Sequence, residues 1–140
     1  MDEIKKDALL SVRHLTVEYT SEGEVIHAVN DVSFELEKGK TIGLVGETGA
    51  GKTSIAKAIL RILPEPPARV KSGEIWFEGR ELLGLKEEEM RKIRGKNISM
   101  IFQDPMTALN PIMRIGEQIA EVIRLHEKCG KAQSVQKRSE

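Results

Sequence analysis

Eight consecutive residues, Gly46 to Thr53, carry the strongest chemical pattern in the chain. They spell G-E-T-G-A-G-K-T and match the phosphate-loop motif G-x-x-x-x-G-K-[ST] in full. Glycines let the backbone curl tightly, so that several N–H groups point at one phosphate. Lys52 is expected to reach the β- and γ-phosphates of a nucleotide, and the Thr53 hydroxyl to ligate Mg²⁺. The expected nucleotide-binding residues are Gly46, Glu47, Thr48, Gly49, Ala50, Gly51, Lys52, Thr53 and Ser54.

The segments on either side of this loop fit the same chemistry. The apolar run Thr41 to Val45 predicts a strand before the loop, and a helix is predicted from Lys52 to about Leu63, where prolines follow. The first turn of that helix offers unpaired N–H groups and the positive end of the helix dipole. A strand, a glycine loop and a helix in this order predict a binding site for nucleotide phosphates.

Gln103 is a second candidate, because it follows the apolar run Ile98 to Phe102, a predicted buried strand. Side chains at the carboxyl end of a strand beside a phosphate loop can hold Mg²⁺ or orient the attacking water. A loop glutamine that bonds its own backbone is an equally good interpretation, and the residues alone leave both open.

Tyr19 lies near the end of the first predicted strand and is one of five aromatic residues. An adenine ring needs a flat apolar platform, which an aromatic side chain can supply. The residue pattern alone favours plain packing on the sheet surface.

Around these candidates the pattern predicts an antiparallel β-layer followed by α/β units. The predicted strands before the loop are residues 8–20, 25–29 and 32–36, with a turn at 21–24. After the loop come a strand at 74–78, a helix at about 86–94 and a last helix at about 114–128.

The composition describes a folded chain with 39% hydrophobic and 31% charged residues over 140 positions. Its 22 basic and 22 acidic side chains give a net charge of +0, which disfavours nucleic acid as a partner. The first residues carry acids where a signal peptide has positive charge, and no run approaches the roughly 18 apolar residues of a membrane span. We expect a cytoplasmic protein without direct membrane insertion, which reaches a membrane only through a partner.

The order of these features resembles a known family. Tyr19, the phosphate loop and the string Met100-Ile101-Phe102-Gln103-Asp104-Pro105 are similar to the nucleotide-binding subunit of ATP-binding cassette (ABC) transporters. The residues from Pro105 to Pro111 resemble those of oligopeptide and dipeptide importers. The resemblance implies that Tyr19 stacks on adenine, and that Gln103 is the Q-loop residue, which contacts Mg²⁺ and couples to the membrane subunits. Lys52 and Gln103 are then the catalytic residues of this chain, with ATP and Mg²⁺ as cofactors.

The resemblance also implies an α/β fold of the P-loop NTPase class, the ABC nucleotide-binding domain. Residues 1–140 would be its N-terminal portion. A partial RecA-like core with an N-terminal antiparallel β-layer would span about 10–112, and the start of a helical subdomain about 113–140. The implied partners are the permease subunits, through the Q-loop region and the following helix, and a second ATP-binding subunit. The protein would then lie peripherally on the inner face of the cell membrane.

The resemblance covers about Leu10 to His126, but motifs with which the family continues are missing. The signature motif, the Walker B aspartate, the catalytic glutamate and the switch histidine have no counterpart in these 140 residues. We therefore expect weak ATP–Mg²⁺ binding and very little turnover by the chain alone. Two alternatives stay open: another P-loop NTPase such as a GTPase, although its Asn-Lys-x-Asp string is missing, and a non-catalytic interaction module.

Overall fold

A computed structural model describes residues 8–49, 51–104 and 109–127. The chain divides between Lys86 and Glu87 into two compact units. The first unit contains strands β1 (Ala8–Ser21), β2 (Glu24–Glu37), β3 (Ala68–Phe77) and β4 (Arg80–Glu81) and helix α1 (Lys52–Ile59). The second contains helices α2 (Glu87–Ile93) and α3 (Ile115–Glu127). The domain boundary predicted near residue 112 stays a prediction.

The strands form one antiparallel sheet in the order β2-β1-β3-β4, with β1 near the centre. This confirms the predicted β-layer and the turn at residues 22–23. The two strands predicted at 25–29 and 32–36 are, however, one strand, and the predicted break between them is wrong. Asp31 has a φ of 52° at that point, and its N–H donates to the Thr16 hydroxyl at 3.2 Å. The pairing with β1 continues on both sides, from Val29 with Val17 to Val32 with Leu15.

The core of the first unit lies between this sheet and α1. Apolar side chains from three strands are buried with two from the helix: Val12, Leu15, Val17, Val29, Ile75, Phe77, Ile55 and Ala58. Their burial follows from alternation along the strands and from the helical spacing of α1.

Helix α1 ends earlier than its sequence predicts, at Ile59 rather than near Leu63. Arg61 takes a left-handed φ of 51°, which stops the helix before the prolines are reached. Its guanidinium donates hydrogen bonds to the carbonyls of Leu82 (3.2 Å) and Leu85 (2.6 Å). These tertiary bonds hold the chain in the turn, and a propensity rule cannot detect them.

The strands predicted at 41–45 and 98–102 are not formed. Within the described ranges, the first segment has no ladder, and the second has only a single bridge between Arg94 and Ile98. Val45 is 98% exposed and Ile101 is 97% exposed. A strand exists only when a neighbouring strand takes up its backbone hydrogen bonds, and the described residues offer these runs no such neighbour.

Both helices of the second unit match their predicted positions. Met90, Ile93 and Ala120 are buried. Three apolar side chains of α3 are exposed: Ile115, Ile119 and Val122. In the described ranges, no helix has the length and hydropathy that crossing a bilayer requires.

Candidate nucleotide-binding site

The glycine loop enters α1 as the motif predicts. The first helical hydrogen bond runs from the Ile55 N–H to the Gly51 carbonyl at 2.9 Å. The N–H groups of Lys52, Thr53 and Ser54 therefore precede the helical ladder and point out of the helix end. Helix ends of this kind attract phosphate through these donors and through the helix dipole. The start of α1, with these three N–H groups, therefore suits a phosphate group.

Lys52 is held over the loop rather than extended into solvent. Its ammonium group donates to the carbonyls of Gly46 and Glu47, both at 2.6 Å. The cation is thereby held against the backbone of Gly46 and Glu47. A positive charge at this position complements the charge of a phosphate chain.

Gly51 is the residue that joins the loop to the sheet. It has a φ of 79°, and a Cβ atom added there would lie 2.1 Å from the carbonyl oxygen of Ala28 on β2. The loop backbone thus packs directly on β2, which only glycine permits. The sequence gives no sign that Ala28 takes part, because the contact depends on the tertiary fold.

Tyr19 lies on β1 with its hydroxyl 3.2 Å from the Ser54 hydroxyl, so the two share a hydrogen bond. Its cross-strand partner on β2 is Ile26, which is 57% exposed. Cross-strand partners share a face of the sheet, so an exposed apolar side chain lies beside the aromatic ring. Sequence reasoning missed Ile26 because strand register is not readable from one sequence.

Glu18, the neighbour of Tyr19, is on the opposite face of β1 and is also missing from the sequence predictions. It is only 2% exposed, yet it bonds Lys71 at 2.5 Å and Arg69 at 3.0 Å, both from β3. His27 of β2 lies 3.4 Å away. The Lys71 hydrogen bond holds the pKa of Glu18 below its ordinary value of 4.5; burial opposes this, and Arg69 adds to it. Ionisable side chains therefore join three strands on the face of the sheet opposite Tyr19.

Gln103 lies in the second unit, exposed and outside any helix or strand. Its predicted contact with Mg²⁺ stays a prediction, as does the matching role of Thr53, whose side chain is exposed in the first turn of α1. Ala50 of the loop and residues 105–108 of the string after Gln103 lie outside the described residues.

The segment after that string is fastened to α3. The Gln118 amide donates to the carbonyls of Asn110 and Met113, both at 3.0 Å, and its oxygen accepts from the Asn110 N–H at 3.0 Å. A shallow groove runs between residues 109–113 and this helix. Its apolar rim includes Ile119 and Val122, which are exposed.

A glycine loop that opens a helix against this kind of sheet defines a P-loop nucleotide-binding domain. A solved structure has the same architecture: an ATP-binding cassette solved as a dimer in a post-hydrolysis state, bound to ADP and Pi, matches with a TM-score of 0.76. The match covers 93% of this chain and 54% of that one at 18% identity, so it establishes the fold alone.

The family model described as ABC transporter matches residues 29–140, and the chain belongs to this family. It is 48% identical over 128 residues to the oligopeptide transport ATP-binding protein OppD of Bacillus subtilis, which covers 91% of this chain. It is 46% identical over 125 residues to the dipeptide transport ATP-binding protein DppD of the same organism, which covers 89%. The chain spans 36% and 37% of the lengths of these two relatives.

Proposed function

We propose that this chain is the ATP-binding part of an ABC importer subunit and binds ATP with Mg²⁺ at the loop between Gly46 and Thr53. The observation that carries the proposal is the geometry at the start of α1. Three N–H groups at the helix start precede the helical ladder, the Lys52 ammonium bonds two loop carbonyls, and Gly51 packs against β2. A phosphate chain is the ligand that this donor set suits.

The proposed base site is the face of β1 that carries Tyr19. The aromatic ring, with exposed Ile26 beside it, forms an apolar platform that suits stacking with adenine. The bond from Tyr19 to Ser54 ties this platform to the phosphate end of α1, which supports one nucleotide occupying both.

Mg²⁺ would be held by the Thr53 hydroxyl in the first turn of α1. A hydroxyl is a neutral oxygen ligand that Mg²⁺ accepts beside phosphate oxygens. When bound, the ion would neutralise charge that develops on the phosphates during transfer. Lys52 would bind and orient the same phosphates.

The proposed cargo is a peptide, because the relatives with the quoted identities are oligopeptide and dipeptide transport proteins. ATP binding and hydrolysis would then drive transport through membrane subunits at the inner face of the cell membrane. We propose that these permease subunits dock at the Q-loop region and α3, where Ile115, Ile119 and Val122 are exposed. A second ATP-binding subunit would complete the nucleotide site, since this class of cassette has been solved as a dimer.

Titration calorimetry of the purified chain with ATP and Mg²⁺ tests the nucleotide site. Lys52→Ala is expected to weaken ATP binding about 10- to 100-fold, because hydrogen bonds to charged groups contribute about 1.5–3 kcal/mol. Lys57→Ala is the matched control, since Lys57 lies in the last turn of the same helix and is expected to leave the affinity unchanged.

Equal affinity for ATP in the wild-type and Lys52→Ala proteins would refute the phosphate site. Much tighter binding of GTP than of ATP would favour the GTPase alternative instead. The prediction of low turnover is checked by phosphate release from the same protein. Rapid hydrolysis that depends on Lys52 would contradict it.

A further inference from the structure

The hydrogen bond between Tyr19 and Ser54 joins the two parts of the proposed ATP site, the platform for the base and the helix end that binds the phosphates. Tyr19 belongs to the central strand of the sheet, while Ser54 is the third residue of α1, next to Lys52 and Thr53. The oxygen atoms are 3.2 Å apart, in a partly buried position. The base platform is therefore fastened to the same helical turn that carries the phosphate ligands.

The ring of Tyr19 needs such an anchor. Its cross-strand neighbours are Ile26, which is largely exposed, and Ala68, which offers only a methyl group. The terminal torsion of an aromatic side chain has broad energy wells, so weak neighbours leave the ring plane loosely defined. A hydroxyl bonded to a rigid helix narrows that freedom before a ligand arrives.

We infer that the Ser54 hydroxyl is a positioning group for the adenine platform, so that base stacking and phosphate binding are energetically coupled through Tyr19 and Ser54. This inference rests on the proposed ATP site. Stacking alone does not require the Tyr19 hydroxyl, because phenylalanine presents an equivalent ring. The inference gives this hydroxyl the role of holding the ring in place. The bond fixes the separation between platform and phosphate loop, which a ligand carrying both base and phosphates has to match.

The test compares two probes, ATP and inorganic tripolyphosphate, each with Mg²⁺, by titration calorimetry on the full chain. Tyr19→Phe is expected to weaken ATP binding about 2- to 10-fold, the range that corresponds to one neutral hydrogen bond. Binding of tripolyphosphate, which has no base to stack, is expected to stay as in the wild type. A loss that is merely structural would weaken both probes alike.

Ser54→Ala and the double variant complete a thermodynamic cycle. If the bond operates, the double variant weakens ATP binding by less than the product of the two single effects. Ser54→Thr keeps a hydroxyl and is expected to bind ATP more tightly than Ser54→Ala. Circular dichroism melts identify any variant that has lost the fold.

Each outcome decides between the inference and the site on which it rests. Wild-type affinity for ATP in Tyr19→Phe, or a fully additive cycle, overturns the inference and leaves the ATP site intact. Equal weakening of ATP and tripolyphosphate binding in Tyr19→Phe overturns it as well. ATP binding that is no tighter in the wild type than in Lys52→Ala overturns both the site and the inference.

Discussion

Replacement of Gly51 by alanine tests the packing that fixes the phosphate loop on the sheet. Two separate costs arise. The left-handed φ of 79° disfavours any side chain, by about 1–2 kcal/mol for an alanine. The added Cβ would also lie 2.1 Å from the Ala28 carbonyl oxygen and 3.1 Å from a methyl carbon of Val29, where ordinary contact begins at 3.4 Å. The loop and β2 would have to separate by more than an ångström, and overpacking of this kind costs a further ~1–3 kcal/mol.

Gly49→Ala is the matched control, because Gly49 has a similar φ of 85°, while apart from its chain neighbours no atom of the described residues lies within 4 Å of an added Cβ. Both variants carry the conformational cost, and only Gly51→Ala carries the clash. Urea denaturation at neutral pH, followed by circular dichroism, measures the free energy of unfolding of each. We expect Gly51→Ala to be less stable than Gly49→Ala by about 1–3 kcal/mol. Equal stability of the two variants would refute the close approach of loop and strand.

Two further predictions concern the sheet and its surroundings. Glu18→Gln is expected to destabilise the protein at pH 7. Because the pKa of Glu18 is lowered on folding, its contribution to the free energy of unfolding is present above pH 4.5 and is lost as the pH falls through the lowered pKa. Denaturation at a series of pH values should therefore show the difference in stability between the variant and the wild type narrowing in acid. A difference that stays constant with pH would contradict the ion pair with Lys71. Leu82→Ala removes a side chain that is fully buried and is expected to cost about 2–5 kcal/mol of unfolding free energy. Leu83 is half-buried, so Leu83→Ala should lower the unfolding free energy clearly less than Leu82→Ala. A larger loss in Leu83→Ala would contradict the burial of Leu82.

The parts that sequence reasoning predicted well are those encoded locally. The glycine loop and the helix that begins at Lys52 follow from residue spacing, and the antiparallel layer follows from alternation. The helix end and the strand at β2 were predicted less well, because Arg61 and Asp31 are held by hydrogen bonds to residues far away in the chain. Local propensity contains no information about such partners.

The two strands that failed to form illustrate a different limit. The apolar runs at 41–45 and 98–102 predict buried strands, and neither strand forms. Apolar character, however, encodes a preference for burial, whereas a strand also requires a hydrogen-bonding neighbour. Val45 and Ile101 lie exposed in the structure, since the described ranges supply no such neighbour. The apolar pattern predicts that a segment can be a buried strand, and the presence of a hydrogen-bonding neighbour decides whether the strand forms.

The contacts around Tyr19 show why the β-layer matters for the proposed site. The same strand that presents this ring to α1 presents Glu18 to the opposite face, where Arg69 and Lys71 of β3 pair with it. Strand β2 supplies Ile26 next to the ring and the Ala28 carbonyl against Gly51. One sheet therefore fixes the positions of both the proposed base platform and the phosphate loop. A change in β-pairing near Tyr19 is therefore expected to alter nucleotide binding even when the residues that bind phosphate are unchanged. The loop motif alone describes the phosphate part of the proposed site and not the part for the base.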